Sequence, residues 1–250
     1  MAGRIYAGVG GWTFEPWRGL FYPPGLPQKR ELEYAARALT AIEINGTYYS
    51  SFPRATWARW RNETPDGFVF TVKASRFATN RKVLPEAAPS ITKFLGQGLT
   101  ELGDKLGPIN WQLAPTKRFD KDEMAAFLAL LPDTLDGVPL RHAIEARHET
   151  FACAEFIALA KTRGVAIVHA ESDTYPRIAV RTAPFTYARI MQTKPRLKQG
   201  MPNAALYALA SEARAWARGG DTFIFFISAA KERNPAAAQA FLRRVRKEVS

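Results

Sequence analysis

The strongest constraint on the fold is a regular alternation of apolar, β-prone runs with segments of helical pattern. The runs start about 30 residues apart on average, which is the length of one strand–helix unit. Their near-continuous apolar character indicates a parallel sheet that is covered by helices. The eight runs are Arg4–Val9, Ala41–Asn45, Phe68–Lys73, Pro108–Leu113, His142–Arg147, Val165–His169, Thr186–Ile190 and Thr222–Ser228.

Several of the intervening segments have recognisable helix ends. Thr150 is suited to cap a helix that stops at Gly164, and Asn234 followed by a proline is typical of a helix start. The stretch Asp173–Thr186 shows no clear helical pattern. The predicted helices are Gln28–Leu39, Lys121–Leu131, Thr150–Thr162, Asn203–Arg218 and Asn234–Lys247.

Eight such units in 250 residues favour a closed, TIM-like (β/α)8 barrel of the α/β class, with parallel strands, in a single domain over residues 1–250. A doubly wound open sheet is the main alternative, and it normally carries a glycine-rich phosphate fingerprint after a strand. Here Gly8, Gly10 and Gly11 lead directly into Trp12, without the later glycine that this fingerprint requires. We therefore predict the barrel.

Composition excludes other classes of protein. With 47% hydrophobic and 23% charged residues, the chain can form an ordered core. Cys153 is the only cysteine, which excludes a disulfide scaffold. No apolar run approaches the roughly 18 residues of a membrane span, and the start of the chain does not resemble a signal peptide. We expect a soluble, cytoplasmic protein that does not associate with membranes.

The chain is basic, with 35 Lys and Arg against 23 Asp and Glu and a net charge of +12. Residues 151–250 hold 16 basic and 7 acidic side chains, so +9 of this charge lies there. Such an excess attracts polyanions and anionic metabolites. It also serves solubility alone, and the charge by itself does not separate the two interpretations.

In a barrel of this type the active site lies at the carboxyl ends of the strands. Residues that follow or end the predicted strands are therefore the candidate site residues. As substrate-binding residues we predict Trp12, Asn45, Tyr48, Lys73, Gln112, Arg147 and Arg189. As catalytic residues we predict Glu43, Glu145 and His148.

Two glutamates inside apolar strands are the most informative of these. Glu43 and Glu145 would each cost several kcal/mol to bury without a partner. One interpretation is a self-satisfied layer in which they pair with Lys73 and Arg147. The other, which we favour because all four lie at strand ends, is a polar pocket that shares its charges with a ligand.

The histidines raise the question of a metal. His148 and His169 could act as acid, base or ligand, and Glu171 lies two residues after His169. No HExxH, paired-cysteine or aspartate-rich signature is present. We predict neither a metal nor another cofactor.

An ordered set of motifs resembles the YecE-like family (domain of unknown function 72). The resemblance extends from about Tyr6 to Phe226 and implies a TIM-barrel-like fold, while the activity of the family is not established. The motifs are Gly8–Trp12, Trp17–Pro23, Gly25–Gln28, Leu32–Tyr34, Glu43–Asn45 with Tyr48-Tyr49, Phe68–Ala74, Leu102–Pro108 with Gln112-Leu113, and Glu145–His148.

The chain departs from the family pattern at four places. Gly10 stands where a small hydroxyl residue is common, Ala114-Pro115 replaces a Pro-Pro, and Phe151 replaces a tryptophan. Ser228–Ala230 stands where asparagines are expected after the eighth strand. The lost amides remove donors and acceptors from the mouth, which implies either an altered ligand preference or a loss of activity.

Three functions remain open at this point. In the first, which we choose, a cofactor-independent enzyme acts on an anionic substrate of phosphate or phosphodiester type. Its cations, Lys73, Arg147 and Arg189, neutralise the anion. Glu43 or Glu145 moves a proton with the aid of His148. The second is a glycosidase-like hydrolase that uses Glu43 and Glu145. The third is a non-enzymatic nucleic-acid-binding protein. The expected partner is a small anionic or sugar-phosphate ligand, with nucleic acid as the alternative, and the oligomeric state stays open.

Overall fold

Parallel strands dominate the structure, as the apolar runs predict. In the computed structural model, which describes residues 2–247, eleven strands are present. They are β1 (Ile5–Gly10), β2 (Ala41–Ile44), β3 (Val69–Lys73), β4 (Leu106–Gln112), β5 (Thr134–Leu135), β6 (Val138–Pro139), β7 (His142–Glu145), β8 (Ala166–Ile167), β9 (His169–Glu171), β10 (Thr186–Ile190) and β11 (Thr222–Phe226).

Helices follow most of the strands and cover the outside of the sheet. They are α1 (Glu31–Ala38), α2 (Arg54–Asn62), α3 (Arg76–Thr79), α4 (Ala88–Leu95), α5 (Lys121–Ala129), α6 (Ala154–Thr162), α7 (Asn203–Ala217) and α8 (Asn234–Lys247). No helix within residues 2–247 is long and apolar enough to cross a bilayer.

Nine strands form one parallel sheet in the order β8-β7-β4-β3-β2-β1-β11-β10-β9. The two edge strands, β8 and β9, are consecutive in the chain and are separated by Val168 alone. Because β8 pairs with β7 while β9 pairs with β10, the sheet curls into a nearly closed ring. The TIM-like barrel predicted from the sequence is thereby confirmed.

The sixth predicted run is divided in the structure. Val165–His169 was expected as one strand, but its two ends pair with different neighbours. The backbone N–H of Val168 donates to the carbonyl of Ile144, while Ile190 on β10 pairs with Glu171. This divided strand is the seam of the barrel.

Two details of the predicted helices were wrong. Thr150 does not cap α6, which begins at Ala154, because its hydroxyl accepts a hydrogen bond from the backbone N–H of Phe119 at 2.8 Å. Thr150 lies instead in a 3-10 turn. The segment predicted as one helix from Gln28 also begins with a 3-10 turn, Gln28–Arg30, before α1.

The β5–β6 hairpin was not predicted. Its turn is Asp136-Gly137, and both residues have positive φ, at 49° and 77°. An Asp-Gly pair between short strands is a strong signal for such a turn. The sequence signal was therefore available, although the strands are only two residues long.

Alternation along each strand divides its side chains between two environments. On β2, Ile42 and Ile44 belong to the apolar layer between sheet and helices, while Ala41 belongs to the cluster inside the barrel. Because successive side chains point to opposite faces, Glu43 shares the inner face with Ala41. The inner face is thus apolar at the amino ends of the strands and polar toward their carboxyl ends.

Candidate functional site

A cavity of about 760 Å³ opens at the carboxyl ends of the strands. All seven residues predicted to bind substrate line it: Trp12, Asn45, Tyr48, Lys73, Gln112, Arg147 and Arg189. The three residues predicted to be catalytic are not among its lining residues. Glu43 and Glu145 lie below its floor and His148 lies outside it.

Arg189 forms the floor of the cavity and joins the two glutamates. Its side chain is 4% exposed, and its Nη2 donates to Glu43 Oε1 at 3.0 Å. Its Nη1 donates to Glu145 Oε2. One guanidinium on β10 therefore bridges carboxylates from β2 and β7, two strands that are not its neighbours in the sheet.

Both glutamates have further donors. Asn110 Nδ2 reaches Glu43 Oε2 and Glu145 Oε2, each at 3.3 Å, and the hydroxyl of Tyr187 donates to Glu43 Oε2. Arg147 Nε donates to Glu145 Oε1 at 2.8 Å. With exposures of 0% for Glu43 and 1% for Glu145, these carboxylates are closed off beneath the cavity.

The electrostatics of Glu145 follow from this arrangement. Burial alone raises the pKa of its carboxyl, but the guanidiniums of Arg189 and Arg147 outweigh burial and hold the pKa below its ordinary value. For Tyr187 the effects add, because burial and the adjacent Glu43 both raise the pKa of the phenol well above its ordinary value. Glu145 is thus a carboxylate and Tyr187 a neutral phenol at neutral pH.

Arg147 is held at the wall of the cavity by two side chains. Its Nη2 donates to Gln112 Oε1 at 2.7 Å, and its guanidinium lies 4.3 Å from the centre of the Tyr175 ring. Its Nη1 also donates to the Tyr175 hydroxyl at 3.2 Å. The planar guanidinium is therefore oriented before any ligand binds.

Lys73 differs from its charged neighbours. Its Nζ lies 4.3 Å from the centre of the Tyr48 ring, and it forms no ion pair or side-chain hydrogen bond within the part of the chain that the structure describes. Burial, and then the charge of Arg189, lower the pKa of its amine from 10.5 to about 8, although Glu43 and Glu145 act in the opposite direction.

Several buried polar atoms of the site have no partner. Arg189 Nε is an unpaired donor, while Asn45 Oδ1 and Asn110 Oδ1 are unpaired acceptors, as far as residues 2–247 are concerned. Arg189 and Asn45 line the cavity. Since an unpaired buried polar group costs about 1–3 kcal/mol, a ligand that pairs with Arg189 Nε or Asn45 Oδ1 would relieve this cost.

Aromatic rings and one strained loop form the rim. Trp12 packs edge-on against Trp60 with ring centres 5.0 Å apart, and both line the cavity. Ser228 and Ala229 have positive φ, at 59° and 44°, which is uncommon for residues other than glycine. This conformation follows β11 where the family pattern is broken, and Ser228 and Lys231 both reach the cavity.

His148 and His169 make contacts within the protein, and neither lines the cavity. His148 Nδ1 accepts from the backbone N–H of Thr150 at 3.2 Å. His169 packs against Trp216 with ring centres 4.9 Å apart, away from the cavity.

A second polar group surrounds His169 on the outside of the barrel. His169, Glu171 and Glu212 are close enough together to share a metal ion. Arg177 already contacts the group, with its Nε 2.7 Å from Glu171 Oε1 and 3.3 Å from His169 Nε2. Because this guanidinium supplies the positive charge, the group is satisfied without a metal.

Sequence reasoning missed Lys231 among the cations of the cavity, and three residues of the polar network, Asn110, Tyr187 and Tyr175. Asn110 and Tyr187 were overlooked although each precedes a predicted residue, Gln112 or Arg189, by two positions on the same strand face. Because side chains two positions apart on a strand share one face, the signal for these two residues was present. Tyr175 lies in an irregular segment and gave no comparable signal.

A family model described as "Protein of unknown function DUF72" matches residues 6–250, which is longer than the resemblance read from the motifs. The UPF0759 protein YecE of Escherichia coli K12 is 29% identical over 147 residues, covering 59% of this chain and 50% of that protein. The UPF0759 protein YunF of Bacillus subtilis is 24% identical over 159 residues, covering 59% and 52%. The chain thus spans about half the length of the curated relatives it matches.

Solved structures share the fold. A DUF72 family protein from Thermotoga maritima has a TM-score of 0.75 at 21% identity and covers 98% of both chains. A DUF72 family protein from Enterococcus faecalis has a TM-score of 0.74 at 14% identity, covering 97% of this chain and 95% of that one. A D-psicose 3-epimerase has a TM-score of 0.56 at 15% identity, covering 96% and 99%. At these identities the likeness concerns the fold alone.

Proposed function

The chain belongs to the DUF72 family of proteins of unknown function, and we propose that it is an enzyme acting on a small anionic substrate, of phosphate or phosphate-ester type, that binds at the mouth of the barrel. One observation carries the proposal. Of the described residues that line the cavity, four are cations, namely Lys73, Arg147, Arg189 and Lys231, and none is acidic.

The charge balance of the interior supports an anionic ligand. Glu43 and Glu145 face three cations, so one positive charge of this cluster is uncompensated. That charge is on Lys73, which has no carboxylate partner within residues 2–247. Because an unpaired buried charge is costly, an anion beside Lys73 and Arg147 would lower the free energy of the site.

The geometry assigns the two glutamates a positioning role in this proposal. Their carboxylates are saturated with donors and nearly unexposed, so a substrate in the cavity would meet the guanidinium of Arg189 first. Lys73, by contrast, lines the cavity, and with a pKa of about 8 it can accept or donate a proton near neutral pH. We therefore assign proton transfer to Lys73, in place of Glu43 or Glu145.

The same burial argues against a glycosidase. Asn110 Nδ2 reaches both carboxylates at 3.3 Å, so their separation is not the obstacle. Glycoside hydrolysis requires both carboxyl groups to contact the sugar, and here neither lines the cavity. A volume of about 760 Å³ is that of a small-molecule site, which favours a small anion over a nucleic acid.

Calorimetric titration with inorganic phosphate tests the binding part of the proposal. We expect the wild-type protein to bind phosphate and Lys73→Met and Arg147→Met to bind it at least about tenfold more weakly, which is about 1.4 kcal/mol. Arg59→Met is the matched control, since Arg59 is exposed on α2, forms an ion pair with Glu63 and does not line the cavity. Equal binding by all four proteins would contradict the proposal.

Turnover is tested separately with a panel of phosphate monoesters and diesters. Any activity should be lost in Lys73→Met and kept in Arg59→Met. Activity that survives in Lys73→Met would show that another group transfers the proton.

A further inference from the structure

Lys73 is chemically distinct from the other lysines of the interior. Lys105 is buried, but its Nζ donates to the carbonyls of Arg61 and Thr64 at 2.7 and 2.6 Å. Lys117 forms an ion pair with Glu123 at 2.6 Å. Both amines donate to oxygen acceptors, whereas Lys73 Nζ faces the aromatic ring of Tyr48.

The surroundings of Lys73 favour a free amine. Burial and the positive charges of Arg189 and Arg147 disfavour its ammonium form, and together they outweigh Glu43 and Glu145, which act in the opposite direction. Desolvation and neighbouring cations are the two conditions that turn a lysine into a nucleophile in enzymes. The amine also lines the cavity, so a small molecule can reach it.

We infer, resting on the proposed function, that Lys73 forms a Schiff base with the carbonyl group of an anionic aldehyde or ketone that binds at the barrel mouth. The neutral amine attacks the carbonyl carbon, and the proton lost from nitrogen passes to the former carbonyl oxygen. The resulting hydroxyl leaves as water after taking up one more proton, and nitrogen and carbon are joined as a protonated imine. No oxidant or reductant is required.

The site suits this intermediate as well as the amine. A protonated imine keeps the positive charge of the ammonium ion in the same position, where the face of the Tyr48 ring attracts it. Arg147, which is oriented by Gln112 and Tyr175, is placed to bind the phosphate or carboxylate of the same substrate. The substrate class is therefore a small carbonyl compound that carries one such group.

Reductive trapping tests the inference. The protein is incubated with dihydroxyacetone phosphate or pyruvate, reduced with sodium borohydride, and mapped by peptide mass spectrometry. We expect an adduct on Lys73 that exceeds the mean adduct on exposed lysines by about tenfold or more at pH 7. Acetone, which lacks the anionic group, should give a smaller yield on Lys73.

Two variants locate the reaction. Lys73→Arg keeps the charge but cannot form an imine, so the adduct should disappear. Lys121→Arg changes an exposed lysine on α5, outside the cavity, and the adduct on Lys73 should remain. Circular dichroism of each variant verifies that it is folded.

The outcomes separate the inference from the proposed function. Absence of an adduct, or labelling spread evenly over the lysines of the wild-type protein, would overturn the Schiff base. If phosphate still binds when no adduct forms, the proposed anion-binding site stands and only the Schiff base is excluded. If neither phosphate binding nor an adduct is observed, both proposals are excluded. A yield on Lys73 that rises with pH up to about 8 would support the inference, because the free amine is the reacting form.

Discussion

At the residue scale, one arginine shared by two glutamates explains how five charged side chains can share the inside of a barrel. Arg189 is 3% exposed and contacts Glu43 and Glu145, while Arg147 supplies the second contact of Glu145. The removal of a single partner from such a buried group leaves an uncompensated charge and is strongly destabilising. The network is therefore a condition for folding and also shapes the floor of the cavity.

Glu145→Gln is expected to lower the free energy of unfolding by about 3–5 kcal/mol, because it leaves Arg189 and Arg147 with one carboxylate fewer. Urea denaturation measures the change. Glu33→Gln, in an exposed ion pair on α1, is the control and should stay within about 1 kcal/mol of wild type. A Glu145→Gln protein as stable as wild type would show that the network is not needed for stability.

Lys73→Met is expected to raise the free energy of unfolding at pH 7 by about 1–3 kcal/mol, since it removes a charge that burial disfavours. The folded protein releases the Lys73 proton from about pH 8, whereas the unfolded chain keeps it to about pH 10.4. The unfolded state then binds more protons, so wild-type stability increases with pH in this window and the advantage of the variant shrinks.

Thermal unfolding of the wild-type protein and of Lys73→Met between pH 7 and 10 measures the difference between their stabilities. A difference that stays constant across the range, or a variant that is less stable at pH 7, would contradict the assigned desolvation of Lys73.

At the scale of the elements, the barrel is built from strands in tight contact and closes at one seam. The parallel pairs around β1 are continuous, while the sixth strand is divided at Val168. The apolar pattern predicted the position and type of the eight strands because it reflects burial on both faces. It could not predict that the sixth strand is divided at Val168. The apolar pattern shows that side chains are buried, but it does not show which neighbouring strand the backbone pairs with.

Gly8→Ala is expected to lower the free energy of unfolding by about 3 kcal/mol or more, because its Cβ would lie 1.7 Å from the carbonyl oxygen of Ala41 and force β1 away from β2. Gly137→Ala is the control. It has φ of 77° and open space around it, so only the backbone conformation costs free energy, about 1–2 kcal/mol. Chemical denaturation compares the two, and equal losses would contradict the close β1–β2 contact.

At the scale of the whole molecule, the fold collects charges that are far apart in the sequence. Glu43 and Arg189 are 146 residues apart, and the barrel topology alone brings them to 3.0 Å. The rule that sites lie at the carboxyl ends of strands predicted seven of the residues that line the cavity, but it also selected Glu43, Glu145 and His148, which do not line it. It could not predict that Arg189 would pair with both glutamates and leave Lys73 unpaired, because pairing depends on distances across the barrel.

Binding of an anion between Lys73 and Arg147 at the barrel mouth is central to the proposed function. A crystal structure of the wild-type protein soaked with selenate, located by its anomalous scattering, tests this claim most directly. We predict selenate within hydrogen-bond distance, about 3 Å, of Lys73 Nζ and the Arg147 guanidinium. Selenate found only on exposed lysines and arginines, with none in the cavity, would contradict it.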